Sequence, residues 1–324
     1  PFVSLSKVAA DFLNAEQVRD TDKQEYLSRR MNFVTQHEAR AWKEKKRSAD
    51  LEELRSYISD YPGGEAPEGT VALTMGVDMQ KDYFLYSVRA CGRFDGETWQ
   101  TVTIDYGRIE SWENLKEFIT KTTYPIGSSD QRMAIYRIAL DTGGGESLDS
   151  SMTRTEEAYL FLSRFPPGRV FGTKGASKRP SKSITVSRID ALPSSNQRIR
   201  TQHLFLLDTA AFKDLLWERI EDGSHIFAAD TGDDYLKQLL AEEKVLERGQ
   251  YIWKQKGTHN HYLDIEMMHE AMNSSLWKPA LQALRAPQGI ISQSQEEKAK
   301  SKPKPKNPYM DGITDGRPNW FNRR

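Results

Sequence analysis

Two apolar runs, Val71-Ala72-Leu73-Thr74-Met75-Gly76-Val77 and Ile135-Tyr136-Arg137-Ile138-Ala139-Leu140, are each closed by an aspartate, Asp78 and Asp141. Runs of this length and composition suit core strands, and strands disfavour Asp unless something compensates its charge. The chain is therefore expected to form a sheet in which two strand ends carry acid. Tyr61-Pro62-Gly63-Gly64 and the Pro67-Glu68-Gly69 that follows stop any helix ahead of the first run. Strand patterns over 71–78, 83–92 and 98–106, with turns at Asp82 and Asp95-Gly96, read as a meander.

Beyond the meander the pattern alternates. A helix capped by Ser111 precedes the strand that ends at Asp141, followed by a helix over 156–165 and a short strand at Val170-Phe171. A strand over 203–207, helices over 209–221 and 233–243, an edge strand over 251–253 and a long helix over 260–284 complete the reading. Hairpin-paired strands followed by strands alternating with helices indicate an α/β fold with a mixed sheet.

The flanks differ. Residues 1–68 are rich in charge and show helical spacing at Val8, Phe12 and Leu13 and at Leu51, Leu54, Tyr57 and Ile58, as in surface helices that need a partner. In 287–324 Gln, Ser, Lys and Pro dominate, and Lys302-Pro303-Lys304-Pro305-Lys306 cannot form a core, so a disordered tail is expected. The division is thus 1–68, 69–286 and 287–324. The chain begins at Pro1 rather than Met, as a processed product or a fragment of something longer would.

A single cysteine, Cys91, excludes an intramolecular disulfide and a cysteine-based zinc cluster, and fits a reducing compartment. No apolar run approaches the roughly 18 residues of a membrane helix and no signal pattern opens the chain, so a cytosolic protein without a membrane partner is expected. The 46 basic and 46 acidic residues cancel, but their placement is uneven. Between 164 and 200, Arg164, Arg169, Lys174, Lys178, Arg179, Lys182, Arg188, Arg198 and Arg200 face Asp190 alone. A loop of this kind is often only solvated; as a phosphate-binding surface it would hold any DNA sequence and weaken with salt.

A third aspartate, Asp264, lies in Asn260-His261-Tyr262-Leu263-Asp264, near a helix start. Carboxylates that meet repel and raise one another's pKa unless a cation is present. Oxygen ligands without thiolates favour Mg²⁺ or Mn²⁺ over zinc, and two such ions about 3.5 to 4 Å apart suit in-line phosphodiester hydrolysis. In that arrangement Asp78 bridges, and Asp141 and Asp264 each complete one shell. Taken singly, Asp78 could pair with Lys81, Asp141-Thr142-Gly143-Gly144 could be an Asx-capped turn, and Asp264 could serve only the helix dipole. His261 shares a helix face with Asp264 and could handle protons or support a ligand, whereas His259 and His269 suit surface or packing positions. Lys174 could orient a scissile phosphate or be a solvated lysine.

Taken together, Leu73-Thr74-Met75-Gly76-Val77-Asp78-Met79-Gln80-Lys81-Asp82, the Asp141-Thr142-Gly143-Gly144 turn, Lys174-Gly175-Ala176-Ser177 and Asn260-His261-Tyr262-Leu263-Asp264 resemble the large terminase subunits of tailed bacteriophages, the lambda-like group, from about residue 70 to 285. The resemblance implies an RNase H-like nuclease domain, a Mg²⁺- or Mn²⁺-dependent endonuclease that cuts concatemeric viral DNA. It implies metal-binding acids at Asp78, Asp141 and Asp264, and the portal protein and small terminase subunit as partners in the host cytoplasm; the basic excess by itself gives Lys174, Lys178, Arg179, Lys182 and Arg188 as the expected DNA contacts. Residues 1–66 would join a packaging ATPase to the nuclease, yet no Walker A sequence and no Gly-Lys dipeptide occurs here. A junction resolvase or integrase-like nuclease would place three acids on the same sheet, and a non-catalytic DNA- or portal-binding module would hold them for structure alone.

Overall fold

The computed structural model describes residues 3–19, 23–39, 49–143, 152–176, 180–247 and 250–292. Helices α1 (Leu5–Glu16), α2 (Lys23–Gln36) and α3 (Leu51–Arg55) precede strands β1 (Thr70–Met79), β2 (Phe84–Gly92) and β3 (Gln100–Ile109). Helix α4 (Trp112–Lys121), strands β4 (Thr123–Pro125) and β5 (Gln131–Asp141), helix α5 (Arg154–Ser163) and strands β6 (Val170–Gly175), β7 (Ile184–Ala191) and β8 (Arg198–Leu207) follow. The chain continues through helix α6 (Thr209–Glu221), strand β9 (His225–Phe227), helix α7 (Asp233–Leu239), strands β10 (Glu242–Glu247) and β11 (Gln250–Gln255), helix α8 (His261–Asn273) and strand β12 (Ile290–Ser292).

One large sheet runs β7-β8-β6-β5-β1-β2-β3-β9, with β4 and β12 paired to the start of β5, and β10 and β11 form a separate ribbon. The expected meander is present: β1, β2 and β3 are antiparallel. On the other side of β1 the strands β5, β6 and β8 run parallel to it and to one another. The fold is thus mixed α/β, as the strand and helix pattern indicates.

Period-two alternation on β1 sorts its residues between two helical layers. Leu73, Met75 and Val77 enter the core shared with Leu115 and Ile119 of α4 and Ala158, Phe161 and Leu162 of α5. Thr74, Gly76 and Asp78 face α8, where they meet His269, Ile265 and His261 in turn. Four helical residues rise about 6.0 Å and two strand residues about 6.6 Å, so α8 can run back along β1 with three successive contacts in step. Gly76 permits the close approach, because a Cβ there would lie 2.6 Å from Ile265 Cγ2 and 3.1 Å from the Ile265 carbonyl oxygen. Gly76→Ala is expected to lift α8 off β1 and cost about 1 to 3 kcal/mol, read as a lowered midpoint in denaturant unfolding; an unchanged midpoint would show that the helix yields freely.

Several boundaries differ from the sequence reading. The helix expected over 233–243 ends at Leu239, and Glu242–Glu247 pairs with Gln250–Gln255 instead, with the Lys256 and Gly257 N–H groups donating to the Ala241 carbonyl at the open end of the ribbon. The helix expected over 260–284 stops at Asn273, ahead of Pro279, which cannot continue a helix, and only a 3-10 turn at Leu281–Ala283 follows. The basic stretch is not a loop throughout, since β6, β7 and the start of β8 lie within it, and β7 and β8 form an antiparallel pair. Helix α5 starts at Arg154 because Thr153 and Glu156 form a capping box.

Ahead of the sheet, α1 and α2 pack on each other through Phe12 and Phe33, ring centroids 5.4 Å apart, with His37 and Asp11 2.9 Å apart beside them. Leu54 is fully buried among α6, α7 and α8, and Ile58 and Ala66 form bridges to Phe227 and Ile126. Among the described residues no helix is long and apolar enough to cross a membrane. The tail beyond residue 292, including Lys302 to Lys306, lies outside the described residues.

Candidate active site

The chain leaves β1 toward β2 on one side of the sheet and returns as β5 on the other, so the carboxyl ends of β1 and β5 form a switch point, where open α/β sheets place their ligands. Val77 pairs with Leu140, which sets Asp78 and Asp141 next to each other at that edge. Asp141 in turn pairs with Thr173, and Lys174 follows on β6 with its side chain exposed. The first turn of α8 crosses the same edge and carries His261 and Asp264.

Asp78 is buried and accepts two hydrogen bonds at Oδ2, from His261 Nδ1 at 2.8 Å and from Gln80 Nε2 at 2.6 Å. The bond to Asp78 lifts the His261 pKa above its ordinary value, against the opposing effect of burial and with further help from the Asp78 and Asp264 charges. Asp141 Oδ1 accepts from the Gly143 N–H at 2.9 Å. Its pKa is nonetheless pushed up to about 7, chiefly by desolvation and then by the negative charges of Asp78 and Asp264, with Lys174 pulling the other way. Asp264 is also raised, foremost by desolvation and despite the Lys213 ammonium 2.9 Å from Oδ1.

The three acids thus act on one another electrostatically at one edge of the sheet. Among the described residues, however, no group of three or more His, Cys, Asp or Glu side chains converges closely enough to hold a metal ion as arranged. The donor set itself fits a hard divalent cation, being carboxylate oxygen throughout, and the raised Asp141 marks negative charge that such a cation would relieve.

The raised pKa values of Asp141, Asp264 and His261 have the same consequence for stability. Asp141 binds its proton more tightly folded than unfolded, so its contribution is complete below about pH 4 and is lost as pH rises through about 7. His261, raised as well, contributes fully below about pH 6.5 and loses that contribution above it. The metal-free protein is therefore expected to melt lower at pH 8 than at pH 5.5. Asp141→Asn should recover on the order of 4 kcal/mol at pH 8 and little at pH 4, visible in thermal melts at the two pH values; equal effects at both would contradict the assignment.

Five neighbours are not singled out by the motifs, although Gln80 and Asn260 lie within them. Gln80 holds Asp78 and is itself placed by Arg154, whose guanidinium donates to the Gln80 carbonyl at 2.5 Å. Gln80 lies two residues beyond Asp78, just past the end of β1. Lys213 of α6 reaches Glu242 Oε1 at 2.7 Å as well as Asp264, and the two carboxylates keep its pKa above the ordinary lysine value although burial opposes this. Asn260 Nδ2 donates to Glu242 Oε1 at 2.7 Å and to Asp264 Oδ2 at 3.0 Å. A lysine in the apolar helix 209–221 is a faint hint; Glu242 offers none.

His269 is fully buried between Thr74 and Ser87, with its pKa held well below normal by burial, and so serves packing. Of the basic stretch, Arg198 pairs with Asp190 at 2.6 Å, and Arg169 and Arg200 donate to backbone carbonyls of Ile119 and Phe165. Lys182 and Arg188 are exposed; Ile184 pairs with Leu207, at the level of Gly175, so Lys182 lies toward the acid-bearing end, whereas Arg188 pairs farther back with His203. Lys178 and Arg179 lie outside the described residues.

A family model described as terminase large subunit gpA, endonuclease domain, matches residues 1–280. Searches of curated proteins and of solved structures returned no match.

Proposed function

This chain belongs to the terminase large subunit gpA endonuclease-domain family, and from that premise we propose that it is a Mg²⁺- or Mn²⁺-dependent, RNase H-like endonuclease that cuts concatemeric double-stranded viral DNA during packaging. A nuclease role in packaging follows from the family itself. The observation that carries the finer reading is the placement of Asp78 and Asp141 on adjacent parallel strand ends, with Asp264 acting on Asp141 from the first turn of α8. The order β3-β2-β1-β5-β6, antiparallel through β1 and parallel beyond it, supports the RNase H-like assignment.

Asp78, Asp141 and Asp264 would hold two divalent ions, which when bound would supply an activated water and charge stabilisation at the leaving oxygen. Asp78 offers Oδ1 while Oδ2 is held by His261 and Gln80, so its carboxylate plane is set before any ligand arrives. His261 near neutral pH carries its proton toward Asp78 and serves as a proton store beside the site. Lys174, exposed on β6 and close enough for its charge to act on Asp141, would bind a phosphate. Lys182 and Arg188, with Lys178 and Arg179, would extend a sequence-independent contact along the backbone. The helical segment through 68, the nuclease body over 69–286 and the tail from 287 belong to the same proposal, as do the portal protein and small terminase subunit as partners and the host cytoplasm as the setting.

The test is incubation of supercoiled plasmid, linear duplex and a four-way junction with the protein and Mn²⁺, Mg²⁺ or EDTA. Metal-dependent nicking of plasmid and duplex, lost in Asp264→Asn, is expected. Cleavage in EDTA would overturn the metal site, preference for the junction would favour a resolvase, and no cleavage with either ion would leave a binding module.

A further inference from the structure

Lys213 is surrounded on its helix by Phe212, Leu215, Leu216 and Trp217, all buried, and its own side chain is 7% exposed. An ammonium so placed is costly unless carboxylates meet it. Two do, Glu242 at 2.7 Å and Asp264 at 2.9 Å, and Asn260 closes the ring by donating to both. Both oxygens of Asp264 are thereby engaged, Oδ1 by the Lys213 ammonium of α6 and Oδ2 by the amide of Asn260 at the start of α8.

This has a consequence for cation binding. A divalent ion approaching Asp264 meets the repulsion of an ammonium that is buried and held in place by Glu242.

We propose that Lys213 is a resident counter-ion of Asp264, fixed by Glu242 and Asn260, which lowers the affinity of the site for divalent cations. It is a positioning residue, and the inference rests on the metal-site reading given above. Replacing Glu242 should leave the ammonium to Asp264 alone and lower the affinity further.

Mn²⁺ binding by DNA-free protein, followed by isothermal titration or by the spin resonance signal of free Mn²⁺, tests this. Lys213→Met is expected to bind Mn²⁺ about tenfold more tightly than wild type, Lys213→Arg to stay near wild type, and Glu242→Gln to bind more weakly. A Lys213→Met protein that melts cooperatively but binds Mn²⁺ no more tightly would overturn the proposal. Should that variant not fold, unchanged or tighter binding by Glu242→Gln would overturn it instead. Asp141→Asn separates the two readings: if it leaves Mn²⁺ binding unaltered, the metal site itself is wrong. If it weakens binding while Lys213→Met does not strengthen it, only the counter-ion role fails.

Discussion

Asp78→Asn is expected to reduce metal-dependent cleavage about a thousandfold while the protein stays folded. Asparagine keeps the shape of the side chain and one carbonyl oxygen, so Gln80 can still donate to it across the 2.6 Å contact. What disappears is the negative charge that would hold a cation and that supports the protonated His261. Removing that charge also relieves Asp141, whose raised pKa depends in part on Asp78. The variant should therefore melt no lower than wild type at pH 8 in the absence of metal, and its Asp141 should titrate at lower pH. Plasmid cleavage and thermal melting measured on the same preparation decide the matter. A variant that cuts DNA at the wild-type rate would remove Asp78 from the site, and one that has unfolded would say nothing of catalysis but would contradict the packing argument.

The second large effect lies beneath the site. Arg89 of β2 is wholly buried and pairs with both Glu266 and Glu270 on α8. Arg219 reaches Glu270 at 2.9 Å, while Thr103 donates to Glu266 at 2.8 Å and Tyr235 donates to it as well. Two arginines and two glutamates thus balance in the interior, and His225 and His269 beside them are held neutral by burial and by the nearby Arg89. Arg89→Met would leave two buried carboxylates with one cation between them. Breaking a buried pair in this way costs about 3 to 5 kcal/mol, which for a domain of this size lowers the melting temperature by about 6 to 20 °C. Adding Glu270→Gln should return part of the loss, since the charge count is then closer to balance. Thermal melts of the single and double variants test this, and a loss below about 1 kcal/mol would mean that water or relaxation reaches the network.

The network bears on the site because both are built on one helix. Glu266, His269 and Glu270 fix the rotation of α8 against β1, β2 and β3, and His261 and Asp264 take their positions from that rotation. Helix α8 could be recognised from its pattern as a helix, but not as one buried along most of its length by charges on one side and apolar contacts on the other. Glu266 and Glu270 look, in sequence, like ordinary solvent-facing acids at i and i+4. The arginine they share, Arg89 on β2, lies 177 and 181 residues away from them.

The sequence by itself determined the aspartates that close β1 and β5, the meander, the capped helices and the acid on the first turn of α8. Those features depend on local chemistry: apolar alternation, turn residues, caps and the cost of placing Asp in a strand. It also misjudged local elements where hairpin pairing prevailed, as over 184–191, which pair as β7 with β8, and at Glu242 and Glu243, which pair with β11 instead of extending a helix. Tertiary structure alone decided the neighbours of each charge. That Asp78 meets His261 and Gln80, that Asp264 meets Lys213, and that Glu242 holds Lys213 in turn all follow from α8 running back along the even-numbered face of β1 with α6 beside it. Electrostatic energy falls with distance in space and is blind to distance along the chain, so the acids could be named from sequence while their counter-charges could not.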